Sequence, residues 1–457
     1  MKKVTLLAAS VLAAVAAAPS ANAYTPNAYF GGYFRSGVMS ERFNKSDDLV
    51  HYVGRLGAEN DTYGEIFLGT DVANVDDTVW SVNSRIAVSS QYNRDWQSTN
   101  NVIISEDKDG NHSLSTNHHE NTRFALREFN LTVKGLLDFD KDATVWAGKR
   151  FYHREDIHIT DLYYWDISGM GAGVENLQAG PGKLSLAWLR RDDSQTYIAN
   201  EEGAAPKNGF RSAHIFDVQY DFPAWDGANI EVRDTFLVPQ RDNDSTTKKY
   251  YHPEYKFGKS NIFGVEISQG YSLGWHKTVL KWTHGSTARW TKFGTEAWFD
   301  DKGASDKANR YSIYNFGQMN FTSNFGMFYT LNFTASKNYD DTNRHDFNLK
   351  SDRAFQVVVR PYVQLTKMTK VLVELGAYTQ TEKDHDGNSV TKNAQKYTVA
   401  YAITPDASNF WSRPELRIFA TYIHGKHDGM QAADVSSWGD SAQNRNFLVG
   451  VQAEAWW

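Results

Sequence analysis

The chain has 457 residues and no cysteine, so it can form no disulfide, thiolate nucleophile or cysteine-ligated zinc site. A formal net charge of −6 with no basic block argues against nucleic acid as a partner. Aromatic residues make up 14% of the chain while the mean hydropathy is −0.56. That pairing suits a barrel with aromatic girdles outside and a wet interior.

In chain order, the first segment is "MKKVTLLAASVLAAVAAAPSANA". Lys2 and Lys3 form a charged start, Val4 to Ala18 an apolar stretch, and Ala21-Asn22-Ala23 an A-x-A cleavage pattern. Residues 1–23 are therefore expected to be a cleaved export signal, and residues 24–457 a single barrel domain. Beyond the signal, no apolar run approaches the ~18 residues that a membrane helix requires.

The remainder alternates with a period of two. In "TYGEIFLG", Ile66 and Leu68 oppose Tyr63, Glu65 and Phe67. In "FGMFYTLNFTA", Phe325, Met327, Tyr329, Leu331 and Phe333 share one face; Gly326, Thr330, Asn332 and Thr334 share the other. In "YTVAYAI", Tyr397, Val399, Tyr401 and Ile403 alternate with small or polar residues. Turn-rich stretches at 336–346, 382–393 and 425–444 separate such segments. Strands of about 10 residues with long polar loops on one side fit a transmembrane antiparallel β-barrel. At roughly 24 to 27 residues per strand and connection, 434 residues give about 16 to 18 strands. A soluble sandwich or propeller also alternates. Here, however, one face is uniformly aliphatic and aromatic, and the chain closes on an aromatic-ended strand.

That last strand, "GVQAEAWW", puts Trp457, Ala455, Ala453, Val451, Val449 and Phe447 on one apolar face. Trp456 falls with Glu454 and Gln452 on the wet face. Parity likewise groups Tyr33 with Arg35, Tyr63 with Glu65, and Trp275 with Lys277 and Lys281. Arg127 is the exception: simple alternation aligns it with Phe129, Leu131 and Val133, and only a bulge or a strand start after it would turn it inward.

Other motifs fall away. "GMGAG" (169–173) lacks phosphate-loop spacing and reads as a flexible turn. "DKDG" (107–110) and "DHDG" (384–387) lack the bidentate glutamate of a calcium loop and read as hairpin turns. His118-His119 has no second ligand pair, so no metal is expected, and no cofactor or catalytic constellation is found.

The stretch "WAGKRFYHREDIHITDLYYWDISGMGAGVEN", Trp146 to Asn176, closely resembles the corresponding stretch of maltoporins, the sugar-specific porins of the Gram-negative outer membrane. "GYFRSG" (32–37), "RLGAENDTYGE" (55–65), "RDW" (94–96), "FWSRPELRIFATY" (410–422) and the final "AWW" agree in order. The resemblance implies an 18-stranded barrel, a homotrimer in outer-membrane lipid, and a constriction loop folded into each channel. It also implies an external surface available to phage.

Matched residue by residue, it implies an aromatic slide of Tyr33, Tyr63, Trp96, Trp275, Trp411 and Trp456, with Trp96 contributed to a neighbouring subunit's channel. The matching polar track is Arg35, Arg55, Glu65, Arg127, Arg154, His158, Asp161 and Asp166, and Tyr163 matches the tyrosine that narrows the channel. The implied function is passive diffusion of maltose and maltodextrins. A related porin for sucrose or aryl-glucosides, or a general diffusion porin, is the alternative; a barrel enzyme would need a nucleophile–base pair that is not found. The chain departs from enteric members in its shorter, cysteine-free first loop and in the longer 103–122 insertion.

Overall fold

Alternation that leaves one strand face apolar and the other wet can be satisfied by a sheet closed on itself, and the computed structural model is such a barrel. It describes residues 26–40, 51–59, 61–90, 102–106, 112–116, 122–193, 211–240, 259–289, 307–338, 349–428 and 443–457. The strands begin with β1 (Ala28–Met39), β2 (Thr62–Val75), β3 (Thr78–Ser90), β4 (Val102–Glu106), β5 (His112–Thr116) and β6 (Thr122–Lys134). Next come β7 (Thr144–Arg150), β8 (Glu155–Ile157), β9 (Leu162–Trp165), β10 (Gly169–Ala179), β11 (Gly182–Asp193) and β12 (Arg211–Pro223). Then follow β13 (Ala228–Gln240), β14 (Ser260–Tyr271), β15 (Gly274–Gly285), β16 (Asn309–Asn320) and β17 (Phe325–Lys337). The last are β18 (Leu349–Gln364), β19 (Thr369–Asp384), β20 (Ser389–Ile403), β21 (Glu415–Asp428) and β22 (Gln443–Trp456).

Eighteen of these form one sheet in which each strand pairs antiparallel with the next, and β22 returns to β1. The pairs β4–β5 and β8–β9 are separate hairpins. Closure is sealed at the chain end: Tyr33 is level with Trp456, Arg35 with Glu454, and Gly32 exchanges backbone hydrogen bonds with Trp457 at 3.1 and 3.2 Å. No edge is left with unpaired amides at this seam.

The faces divide as the alternation requires. On β17, Phe325, Leu331 and Phe333 are exposed on the outside, while Gly326, Thr330, Asn332 and Thr334 are buried toward the interior. Trp457 is 54% exposed beside Phe30 (ring centroids 5.8 Å), whereas Glu454 and Gln452 are buried.

Two expectations need correction. "GMGAG" is not a turn but the start of β10, where glycine is needed because a Cβ on Gly173 would lie 2.9 Å from the Trp146 indole nitrogen. The barrel strands also exceed about 10 residues everywhere but β7: β18 and β19 have 16 each, and the turn within 382–393 shrinks to His385–Asn388.

The Arg127 conflict is resolved by a bulge. Arg85 pairs with Glu128 and Ile86 with Leu126, so Arg127 is the extra residue and the parity switches there. Leu126 and Phe129, three apart, both stay outside.

Inside the barrel, two segments dock on the wall and supply the core. Residues 51–59 present the carbonyl of Tyr52 to Gln356 (2.6 Å) and that of Leu56 to Thr398 (3.1 Å). Residues 151–168 place the Tyr164 hydroxyl on Glu266 (2.7 Å) and its carbonyl under Lys281 (2.7 Å). Val53, Leu56, Ile157, Ile159 and Trp165 are buried there with the wall residues Tyr314, Phe328 and Val358.

The seam gives the first test. A Cβ on Gly32 would fall 2.3 Å from the Trp457 ring and 2.9 Å from the Glu65 carbonyl oxygen. Gly32→Val should therefore unseat Trp457 at a cost of about 1–3 kcal/mol. The check is a lower yield of heat-modifiable folded barrel on unheated gels.

Candidate functional site

A cavity of about 460 Å³ lies where the two inserted segments meet the wall near the β1–β22 seam. Strand parity delivers Tyr33 and Arg35 from β1, Tyr63 and Glu65 from β2, and Trp456 from β22. Arg55 comes from the first inserted segment; Arg154, His158, Asp161 and Tyr163 come from the second. Trp411 enters from the connection between β20 and β21, held by a hydrogen bond from its indole N–H to Gln318 (2.9 Å).

Of the residues singled out in the sequence, all but four line this cavity. Trp96 lies outside the described residues. Trp275 faces inward but packs behind, edge-on to Phe328 at 5.7 Å. Arg127 stacks over the Phe151 ring at 4.8 Å, the ring that Arg154 covers at 4.4 Å. Asp166 stands 3.5 Å from Arg154. These last two flank a lining residue and do not line the cavity themselves.

The rings form a row. Tyr33 and Tyr63 are 6.1 Å apart, and Tyr33 is the register partner of Trp456. Trp456 lies 6.3 Å from Trp411, which lies 5.8 Å from Phe328. Tyr33, Tyr63, Trp411 and Trp456 are each only half-buried, so part of each ring is open to the cavity.

Charged groups hold the row in place. Glu454 accepts from the Tyr33 hydroxyl (3.0 Å), Arg55 (3.0 Å) and Arg413 (2.8 Å). Arg413 in turn lies 4.2 Å over the Trp456 ring. Arg35 pairs with Asp61 (2.8 Å) and Glu59 (3.1 Å) and stands 3.6 Å from Asp161. Buried charges of this kind are tolerable only when paired and hydrogen-bonded.

The electrostatics of the inserted segments differ from group to group. Burial, helped by Arg55, holds the His158 imidazole well below its ordinary value, so it is neutral near pH 7. Its ring packs 5.0 Å from Trp411. Burial alone would raise the Asp161 carboxyl, but Arg55 and Arg35 outweigh it and keep the group ionised. Asp156 is exposed to the cavity yet enclosed by protein beyond it. That enclosure, reinforced by the Asp161 carboxylate, pushes its carboxyl up to about 6.

Several residues of this site were not singled out in the sequence. Asp156 ends the charged run Arg154-Glu155-Asp156 within the stretch matched to maltoporins, and Glu454 shares the wet parity of Trp456; each had a visible signal. Phe328 had one too, as the aromatic ring on the wet parity of β17. Arg413 and Glu59 lie within two of the matched stretches but had no periodic signal, because the loop geometry that brings them to Trp456 and Arg35 has no period.

Among known proteins, the family model described as LamB porin matches residues 28–457. Maltoporin 1 of Klebsiella pneumoniae subsp. pneumoniae is 34% identical over 461 residues, covering 99% of each chain. Maltoporin 2 of Yersinia pestis is 33% identical over 434 residues, covering 94% of this chain and 93% of its own.

Two tests follow from the cavity. Asp156 gains its negative charge as pH rises through about 6, so the cation-to-anion permeability ratio should rise over the same range. Reversal potentials in a salt gradient between pH 5 and 8 should show this step, and Asp156→Asn should flatten it. Tyr163→Ala should raise single-channel conductance, and an unchanged value would show that its ring does not limit the passage.

Proposed function

We propose that this chain, which belongs to the LamB porin family, lets maltose and maltodextrins diffuse passively along its inner aromatic row. The membership makes it an outer-membrane sugar porin, a passive channel and not an enzyme. The proposal adds the substrate and the residues. Its relatives at 33–34% identity carry the name maltoporin.

The observation that carries the reading is the single cavity in which Tyr33, Tyr63, Trp411 and Trp456 stand with Arg35, Arg55, Glu65, Arg154, His158 and Asp161. A pyranose has apolar C–H faces and a rim of hydroxyls. Flat rings cover the faces, while arginines donate to the rim and carboxylates accept from it. A row of similar, weak sites suits transport, because a sugar must leave each as easily as it enters. Trp96 and Trp275 would extend the row, and Tyr163 would set the narrowest point. The same reading includes a homotrimer, an external surface open to phage, and residues 1–23 as the export signal.

The test is current through single channels in a planar bilayer, with maltotriose titrated against sucrose. The expected result is saturable block by maltotriose at the lower concentration. Trp411→Ala should raise the half-blocking concentration about tenfold, the loss of one ring contact of about 1.4 kcal/mol. Tighter block by sucrose would assign the channel to another sugar, and a current indifferent to both would make it a general porin.

A further inference from the structure

Glu374 lies on β19, fully buried and outside the cavity lining. Its Oε1 accepts the Leu56 amide at 2.9 Å and also the Lys396 ammonium. Its Oε2 accepts Arg360 Nε at 2.6 Å. Arg360 continues to the carbonyl of Ile159 at 3.4 Å, and that carbonyl also accepts the Arg55 amide at 2.9 Å.

Two successive amides of the first inserted segment are thus held from two sides. Arg55 N–H is held by the second segment and Leu56 N–H by Glu374, and Arg360 joins the two acceptors. The backbone is cleared for this contact. A Cβ on Gly54, whose φ is +95°, would lie 2.5 Å from Glu374 Oε1, and one on Gly376 would lie 2.0 Å from the Val53 carbonyl oxygen.

We infer that Glu374 is a positioning residue that sets the aperture by holding both inserted segments at one point on the wall. The side chains it fixes are one residue away in each segment. Arg55 precedes the Leu56 amide, and His158 precedes the Ile159 carbonyl; both line the cavity. A plainer role would be to neutralise the buried cations Arg360 and Lys396, and the test must separate the two.

The double variant Glu374→Gln/Lys396→Met removes one charge of each sign and keeps the net local charge, but it takes the carboxylate from Arg360; the variant that keeps the cation paired with Glu374 is the second one. Arg360→Lys keeps every charge but has one nitrogen where the guanidinium uses two: it cannot keep both the Nε and the Nη2 contacts to Glu374 Oε2 and still reach the Ile159 carbonyl. Full-length protein that migrates as folded barrel is measured in planar bilayers. Positioning predicts open-channel conductance about twofold higher, with added current noise, in the double variant and a smaller change of the same sign in Arg360→Lys.

The sugar readout alone rests on the proposed substrate: residence of maltotriose should shorten about fivefold or more. Parental conductance and noise in both variants would overturn the inference. Should the double variant fail to fold, Arg360→Lys decides it alone. A parent channel that ignores maltotriose would defeat the substrate reading and leave the conductance test standing.

Discussion

Every backbone amide of a sheet placed in hydrocarbon must be satisfied within the sheet, because no water is there to take its place. In this chain that condition comes down to the pairing of β1 with β22, where Tyr33 meets Trp456 and Gly32 meets Trp457. Once the seam closes, there is an inside and an outside, and the period-two pattern acquires its meaning. Phe34, Val451 and Trp457 can face lipid only because Arg35, Gln452 and Glu454 have a lumen to face. The seam also lies beside the cavity, so the element that closes the barrel contributes Tyr33, Arg35 and Trp456 to the site.

Closure creates a second problem. Eighteen strands enclose more space than wall side chains can fill. Here two segments enter it, and their contacts with the wall are of two kinds. Apolar residues such as Val53, Ile159 and Trp165 bury themselves against Tyr314, Phe328 and Val358. Charges and backbone groups are held by wall residues from opposite sides, with Glu374 and Glu454 as the acceptors on which several donors converge. Fully buried carboxylates are stable there because each lone pair is used. The interior is therefore closed where buried charges are fully paired, and open to the cavity along the row of rings and the charged groups facing it.

Rigid walls and weakly binding rings are complementary demands. The rings of Trp411 and Trp456 are themselves held, one by Gln318 and the other by the Arg413 guanidinium, so on the proposed reading a sugar would meet surfaces already oriented. Neutral His158 beside ionised Asp161 offers a mixture of donors and acceptors without a large net field. That mixture fits an uncharged, hydroxyl-rich substrate better than an ion.

Much of this was legible in the chain itself. Alternation separated lumen from lipid strand by strand, and it placed Tyr33, Tyr63, Trp275 and Trp456 inward, because the pleat turns successive side chains to opposite faces without exception until a bulge intervenes. The bulge at Arg127 was the point where that rule needed a spatial partner, since only the pairing with Arg85 and Ile86 reveals the extra residue. Phe328 was visible as an aromatic on the wet face, yet its place between Trp275 and Trp411 depends on two other elements. Glu374 had the wet parity of β19 but nothing to mark its role, and Arg413 and Glu59 had no periodic signal. A periodic pattern is a property of neighbours along the chain, so the sequence by itself determined the barrel and the two faces of its strands. Which loop side chains meet across the lumen depends on contacts tens to hundreds of residues apart, and only the tertiary structure decided that.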